Sequence, residues 1–267
     1  MALWPLAGAE PEGGFSPPTI AEFFPPAVLF VGTPFELNRI MLIRLLVMTV
    51  LVVIFAVYVR RSRLVPDRGT GTIEMALDLV RTQMAELILG ERDGRKYLPL
   101  LATIFFVVFA LNITGVIPLL NIAGTSVIGM PLVLATIVYV TFIVVGIRAN
   151  GALGYFRSTL APPGIPAAIY ILYTPIEALS VFVLRPATLT IRLFANMFAG
   201  HFLLVLSFSA TNYLFFEAGA PLAGFGVLTL ALGFAFTLFE ILVALLQAYI
   251  FTLLTAVYIN SSLHVEH

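Results

Sequence analysis

The chain has 267 residues, 60% of them hydrophobic and 10% charged, with a mean hydropathy of +1.06. Soluble domains sit near half apolar and a quarter charged, so this composition excludes a soluble globular protein and indicates a polytopic membrane protein, built as one integrated bundle. Fourteen basic and fourteen acidic residues cancel, which gives no bulk charge for a nucleic-acid partner, and the lack of Cys excludes disulfides and thiolate metal sites.

The first 38 residues contain seven Pro and four Glu. They lack the basic start and continuous apolar core of a signal peptide. They read as an irregular arm, packed in part against the membrane domain, or as a disordered tail. Residues 39–267 form the membrane domain. Its first span runs over Ile40–Val59, about 20 residues, the length a hydrocarbon core of ~30 Å requires. Arg44 is near its outer end and can snorkel, and Arg60, Arg61 and Arg63 stop it. Eight Lys or Arg between Arg60 and Lys96 make the loop over 60–96 cytoplasmic and leave the N-terminal arm outside.

Within that loop Ile73, Leu77, Val80, Met84 and Leu87 recur at helical spacing, with Glu74, Asp78, Arg81 and Glu86 on the other side. Thr72 can cap this amphipathic helix and Gly90 can end it. It lies on the headgroups or against a partner. The second span covers Tyr97–Leu119 and the third Met130–Ile147, joined by a short uncharged link suited to the outer face. Arg148 and Arg157 return the chain to the cytoplasmic side, and Pro162, Pro163, Gly164 and Pro166 break it.

Two longer apolar blocks follow, Ala167–Ala210 and Leu222–Ile259, separated by a turn at Thr211, Asn212, Glu217, Gly219 and Pro221. The first spans about 44 residues and would be ~65 Å long as one helix, twice the membrane core. Pro175, Pro186 and Gly200 are its candidate kinks. The expected fold is therefore an all-α polytopic membrane protein with three ordinary spans, one cytoplasmic amphipathic helix, and two long, strongly tilted helices forming a hairpin over 167–262. With five crossings the C terminus is cytoplasmic.

Seven polar groups interrupt these two blocks: Glu177, Arg185, Arg192, Asn196, His201, Glu240 and Gln247. Arg192 matters most, because a guanidinium cannot discharge itself and costs roughly 2.5 kcal/mol or more at bilayer depth. Arg185, Arg192 and Asn196 fall on about one side of a helix, with Ala195 and Ala199 keeping that side thin enough for another helix to approach. Glu240 and Gln247, seven apart, share a face of the last helix. The plainer readings are an internal Arg192–Glu240 ion pair, a satisfied core His201 and a snorkelling Glu177. A buried pair rarely gains over apolar packing, and seven such groups on two consecutive helices point to an aqueous or proton-relaying path.

The run Ile191-Arg192-Leu193-Phe194-Ala195-Asn196-Met197-Phe198-Ala199-Gly200-His201, with Arg185-Pro186 before it, resembles the signature of subunit a of F-type ATP synthases. Leu246-Gln247-Ala248-Tyr249-Ile250-Phe251 with Leu253–Tyr258, and Leu111-Asn112-Ile113-Thr114-Gly115-Val116-Ile117-Pro118, are similar to two further segments of that family. The similarity covers roughly residues 35 to 262.

The resemblance implies a proton-translocating stator beside a rotating ring of c subunits, with two half-channels and an essential arginine at Arg192. It implies that the hairpin faces the ring. Asn196 and Gln247 would orient water or Arg192. His201 and Glu240 would act as a pair towards the outer half-channel, with Asn112 nearby. Where some bacterial members carry an acid, this chain has Gly115. Glu177 matches a glutamate of the cytoplasmic exit, and Arg185 a headgroup or exit-path contact. The implied partners are the c-ring, b-type peripheral-stalk subunits, membrane lipids, protons and, indirectly, the F1 ATPase, in a bacterial plasma membrane. The coupling ion, proton or sodium, depends on the ring. No cofactor or metal is expected, and without a phosphate-binding glycine loop ATP chemistry belongs to other chains. The alternative is a stand-alone channel or secondary transporter, which should show internal repeats; none is visible.

Overall fold

The computed structural model describes residues 15, 17–19, 25–33, 36–61, 71–161, 167–219 and 221–264. Most of the N-terminal arm, Arg63, and the break at Pro162, Pro163, Gly164 and Pro166 lie outside the described residues. In chain order the elements are β1 (Ala27–Leu29), β2 (Leu37–Asn38), α1 (Arg39–Arg61), α2 (Gly71–Val80), a π-helical segment (Arg81–Glu86), α3 (Leu87–Ile113), α4 (Gly129–Asn150), α5 (Ala152–Leu160), α6 (Ala167–Leu179), a second π-helical segment (Ser180–Leu184), α7 (Arg185–Phe216) and α8 (Ala223–Leu263). Five helical stretches among the described residues are long and apolar enough to cross a membrane. The protein is an all-α polytopic membrane protein.

The described part of the arm is more ordered than an irregular tail. β1 and β2 pair antiparallel, Ala27 with Asn38 and Leu29 with Leu37. The Phe15 ring sits 5.7 Å from that of Tyr213 near the end of α7, so the arm touches the membrane domain.

One stripe of α1, Ile40, Ile43 and Val47, is buried against Leu111 and Ile122. Arg44 does not snorkel: its Nε donates to the carbonyl of Gly124 at 2.8 Å. Arg39 likewise donates to the carbonyls of Leu119 and Leu120. These bonds satisfy backbone acceptors in a loop that has no ladder of its own.

The amphipathic helix begins at Gly71, so Thr72 stands inside its first turn rather than at the cap. Its apolar face turns inward onto the chain itself: Val80, Met84, Ala85 and Leu89 join the main core with α3, α4 and α8. Leu87, expected on that face, is exposed. The π-helical turn over Arg81–Glu86 inserts an extra residue and rotates everything after it, so that Leu89 takes the inward position. Gly90 then breaks the helix at φ 76°, ψ 169°, a region essentially reserved for glycine. The chain folds back so tightly that a Cβ on Gly94 would lie 2.9 Å from the Ala85 backbone.

The second span ends at Ile113, not Leu119. From 114 to 126 the chain forms a loop held by its own bonds, buried at Thr114, Gly115 and from Ile122 to Ser126 and exposed over 117–119 and at 121. Gly124 N–H donates to Leu111 O at 2.8 Å, and Thr114 Oγ1 donates to the same carbonyl at 2.8 Å. After α4 the short helix α5, unforeseen from the sequence, packs the Tyr155 ring against Gly146.

α6, the π-helical segment and α7 form one continuous helical stretch over Ile169–Phe216. Pro186 has no N–H, so the carbonyl of Phe182 loses its ordinary donor, and the widened turn over Ser180–Leu184 falls there. The helix continues through Thr211 and Asn212 to Phe216, so the turn is confined to 217–222. The contacts with α8 run in reverse order: Arg185 with Tyr258, Asn196 with Gln247, Gly200 with Glu240, Phe208 with Phe234, and Thr211 with Thr229. α7 and α8 therefore lie antiparallel along most of their length.

Candidate functional site

The interruptions of α7 and α8 separate into three levels along the helices. At the middle level, α7 buries Leu189, Leu193 and Met197 on one face. This leaves the half-buried Arg192 and the exposed Ala195, Asn196 and Ala199 on the other, at spacings of three, four and seven. Small neighbours keep the surface around the guanidinium open. Asn196 Nδ2 donates to Gln247 Oε1 at 2.9 Å, which ties this face of α7 to α8. Gln247 is buried, and its Nε2 has no hydrogen-bond partner among the described residues. A buried amide donor left this way costs about 1–3 kcal/mol unless water or another group supplies the bond.

About 12 Å further along α7, the Glu240 carboxyl enters between two glycines. A Cβ on Gly115 would lie 3.1 Å from Glu240 Oε1, and one on Gly200 would lie 3.4 Å from the same atom. Glu240 is 2% exposed and neither oxygen accepts a hydrogen bond. A buried carboxyl without a donor is costly unless a proton or water compensates it. His201 is buried next to Gly200, and no hydrogen bond joins the imidazole to Glu240. Asn112, one turn before Gly115 on α3, is buried and accepts from Thr125 Oγ1, while its Nδ2 is unpartnered.

The third level lies about 10 Å from Arg192 in the other direction. Arg185 pairs with Glu177 at 3.7 Å, stacks its guanidinium 5.2 Å from the Tyr258 ring centroid and donates to Ser261 Oγ. Both partners of the ion pair are about a quarter exposed. Arg185 is thus engaged by protein groups, whereas Arg192 has no ion-pair partner among the described residues.

Among the described residues no ion pair joins Arg192 to Glu240. Arg192 faces outward and Glu240 inward, so the structural ion pair is not formed. Groups of three or more His, Cys, Asp or Glu able to hold a metal are absent among the described residues. Sequence reasoning missed the role of Gly115, treating it only as a lost acid. It also missed Thr125 as the partner of Asn112. Both depend on chain segments meeting in space; the one local signal was a glycine in an otherwise apolar helix end.

The half-buried Arg192 thus stands among small residues on α7, with Asn196 bonded to Gln247 and the buried Glu240 further along α8. A family model described as ATP synthase A chain matches residues 41–260. The chain belongs to the ATP synthase A chain family. It is 51% identical over 252 residues to an ATP synthase subunit a of Rhodococcus erythropolis, covering 94% of this chain and 92% of that one. A second relative with that description, from Pseudarthrobacter chlorophenolicus, is 42% identical over 258 residues, covering 97% of both chains. A third, from Frankia alni, is 39% identical over 261 residues, 96% of this chain and 89% of the relative. The matched segment of the ATP synthase A chain family contains every site residue named above.

Proposed function

We propose that this chain is the proton-translocating membrane stator of a rotary ATP synthase in a bacterial plasma membrane, with its N terminus outside and its C terminus cytoplasmic. The supporting observation is the unpaired, outward Arg192 on the thin face of α7, in a chain of the ATP synthase A chain family. α8 has 41 residues and a length of about 60 Å, twice the ~30 Å hydrocarbon core. Both long helices would therefore lie strongly inclined and present a broad face to a ring of c subunits.

In this reading Arg192 meets the membrane-buried carboxyl of each passing c subunit and favours its ionised form. Its fixed charge also bars protons from crossing directly between the two half-channels. Asn196 and Gln247 hold water or the guanidinium in place. Glu240, His201 and Asn112 line the outer half-channel, with Gly115 giving room to the Glu240 carboxyl. Glu177 and Arg185 mark the cytoplasmic exit. The driving force is charge moved through the membrane potential, about 2.3 kcal/mol per charge per 100 mV. The b-type stalk subunits hold the chain against rotation, and ATP chemistry stays on the F1 sector. A stand-alone channel or transporter is not favoured.

The test is ATP-driven acidification of inverted membrane vesicles, comparing wild type with Arg192→Ala at equal assembly. Loss of pumping with the complex intact is the expected result. Undiminished pumping would overturn the role of Arg192. A wild-type preparation with active ATPase but no proton uptake would overturn proton coupling.

A further inference from the structure

A cavity of about 480 Å³ opens where the ends of α3, α4 and α8 meet, away from the levels described above. It is lined by residues of α3 from Lys96 to Leu100, of α4 from Val140 to Ala149, and by Leu263 at the end of α8. Its volume is within the range of small-molecule sites, roughly 300–1,000 Å³. Lys96 and Arg148 enter its rim from two different helices, and no Asp or Glu lines it. Of the acids in the preceding segment, Glu86 and Glu91 are engaged by Arg81 and Arg95, and Asp93 stands outside the cavity lining. Among the described residues neither Lys96 nor Arg148 has an ion-pair partner.

The walls change character with depth. Lys96 Nζ lies 5.0 Å from the Tyr97 ring centroid, which fixes the ammonium at the level where aromatic side chains mark a membrane interface. Leu100 and Val144 lie one turn deeper, about 6 Å below Lys96 and Arg148, and Val140 about 12 Å below. Thr141, the aliphatic hydroxyl on the wall, donates its proton to the carbonyl of Ile137 at 2.7 Å, and the other hydroxyl is that of Tyr97 at the interface level. The cavity is therefore doubly cationic at headgroup height and apolar at acyl-chain height. An anion free in solution would gain nothing from the apolar wall, and a zwitterionic lipid would gain little from two cations without an acid.

We propose that this cavity is a binding site for an anionic phospholipid, with its phosphate between Lys96 and Arg148 and an acyl chain along Leu100, Val140 and Val144. The lipid would wedge between α3 and α4 beside the end of α8. Each basic side chain at a membrane surface favours anionic lipid about five-fold, so the two together give roughly a 30-fold preference.

The experiment uses the intact complex in nanodiscs with a photoactivatable phosphatidylglycerol carrying its reactive group on the acyl chain. Labelled peptides are mapped by mass spectrometry, with a phosphatidylcholine analogue in parallel. The expected result is labelling at Leu100, Val140 and Val144 by the phosphatidylglycerol probe, reduced roughly 30-fold in Lys96→Gln/Arg148→Gln. Val140→Trp, which keeps both charges and fills the exposed groove wall, should also lose the label. Equal labelling by the phosphatidylcholine probe, or unchanged labelling in the double variant, would overturn the proposal. Competition by millimolar inorganic phosphate would also overturn it in favour of a free anion. Absence of label in the intact complex would overturn it in favour of a protein partner filling the cavity.

Discussion

Gly115→Ala adds one methyl group, and its effect follows from three distances. The new Cβ would sit 3.1 Å from Glu240 Oε1, 3.3 Å from Ala123 Cβ and 3.5 Å from Ala123 N. The first two are closer than the ~3.5–4.0 Å optimum for such contacts. Ala123 cannot retreat, because Gly124 N–H next to it is bound to Leu111 O at 2.8 Å. Glu240 must give instead, yet its carboxyl already has the Gly200 backbone on its other side. Overpacking of this kind costs about 1–3 kcal/mol. Borne by the step in which Glu240 exchanges a proton, it slows pumping about five- to 150-fold. ATP-driven acidification of inverted vesicles at equal assembly measures the slowing. Glu240→Asp supplies the control: it withdraws the carboxyl by about one bond, ~1.5 Å, and reopens the space. The double variant Gly115→Ala/Glu240→Asp should therefore pump faster than the product of the two single effects. Independent effects, with a coupling below about 0.5 kcal/mol, would refute the steric argument.

Two further substitutions test the packing. Gly146→Ala would place a Cβ 2.3 Å from the ring of Tyr155, which is 2% exposed, so the ring must leave and α5 must lose its dock. The loss is about 2–3 kcal/mol of burial, read as a lower unfolding temperature and faster proteolysis over 151–161. Gly90→Ala forces an alanine into a backbone region that glycine alone adopts freely, at a cost of about 1–3 kcal/mol. Its unfolding temperature should fall although a Cβ there meets no neighbour within 4 Å. An unchanged temperature would mean that the kink within α3 is not held in that conformation.

The membrane helices were legible because apolar length is a local property: α1, α4 and α8 begin and end within a few residues of the limits set by Arg60, Arg148 and Pro221. Gly90 was legible as a stop for the same reason. The end of the second span was not. Hydropathy does not distinguish a helix from a loop, and the run after Ile113 stays apolar while the Thr114 hydroxyl donates to the carbonyls of Leu111 and Ile122. Leu87 was misplaced because the π-helical turn at Arg81–Glu86 shifts the helical period without a residue that announces it. Arg44 was misread because its acceptor, the carbonyl of Gly124, is 80 residues away. In the site, the residue types and their order along α7 and α8 were legible, since both are helical spacings. The pairing of Glu240 with Gly115 and Gly200 was not, since it requires α3, α7 and α8 to meet.

That meeting settles how the two opposite charges of the hairpin relate. Were Arg192 and Glu240 in contact, each would spend its charge on the other. α7 instead turns Arg192 to the thin outward face and meets Glu240 at Gly200, about 12 Å along the helix. Two unit charges ~12 Å apart attract by only about 1.4 kcal/mol at an effective dielectric of ~20, a third of their attraction at ~4 Å, and no ion pair joins the two residues among the described residues. A carboxylate brought against Arg192 from outside the chain would therefore outcompete Glu240 for the guanidinium. Glu240 lies against the two glycines, and neither of its oxygens accepts a hydrogen bond among the described residues. The missing side chains at Gly115 and Gly200 leave the room that the Glu240 carboxyl occupies, away from the level of Arg192.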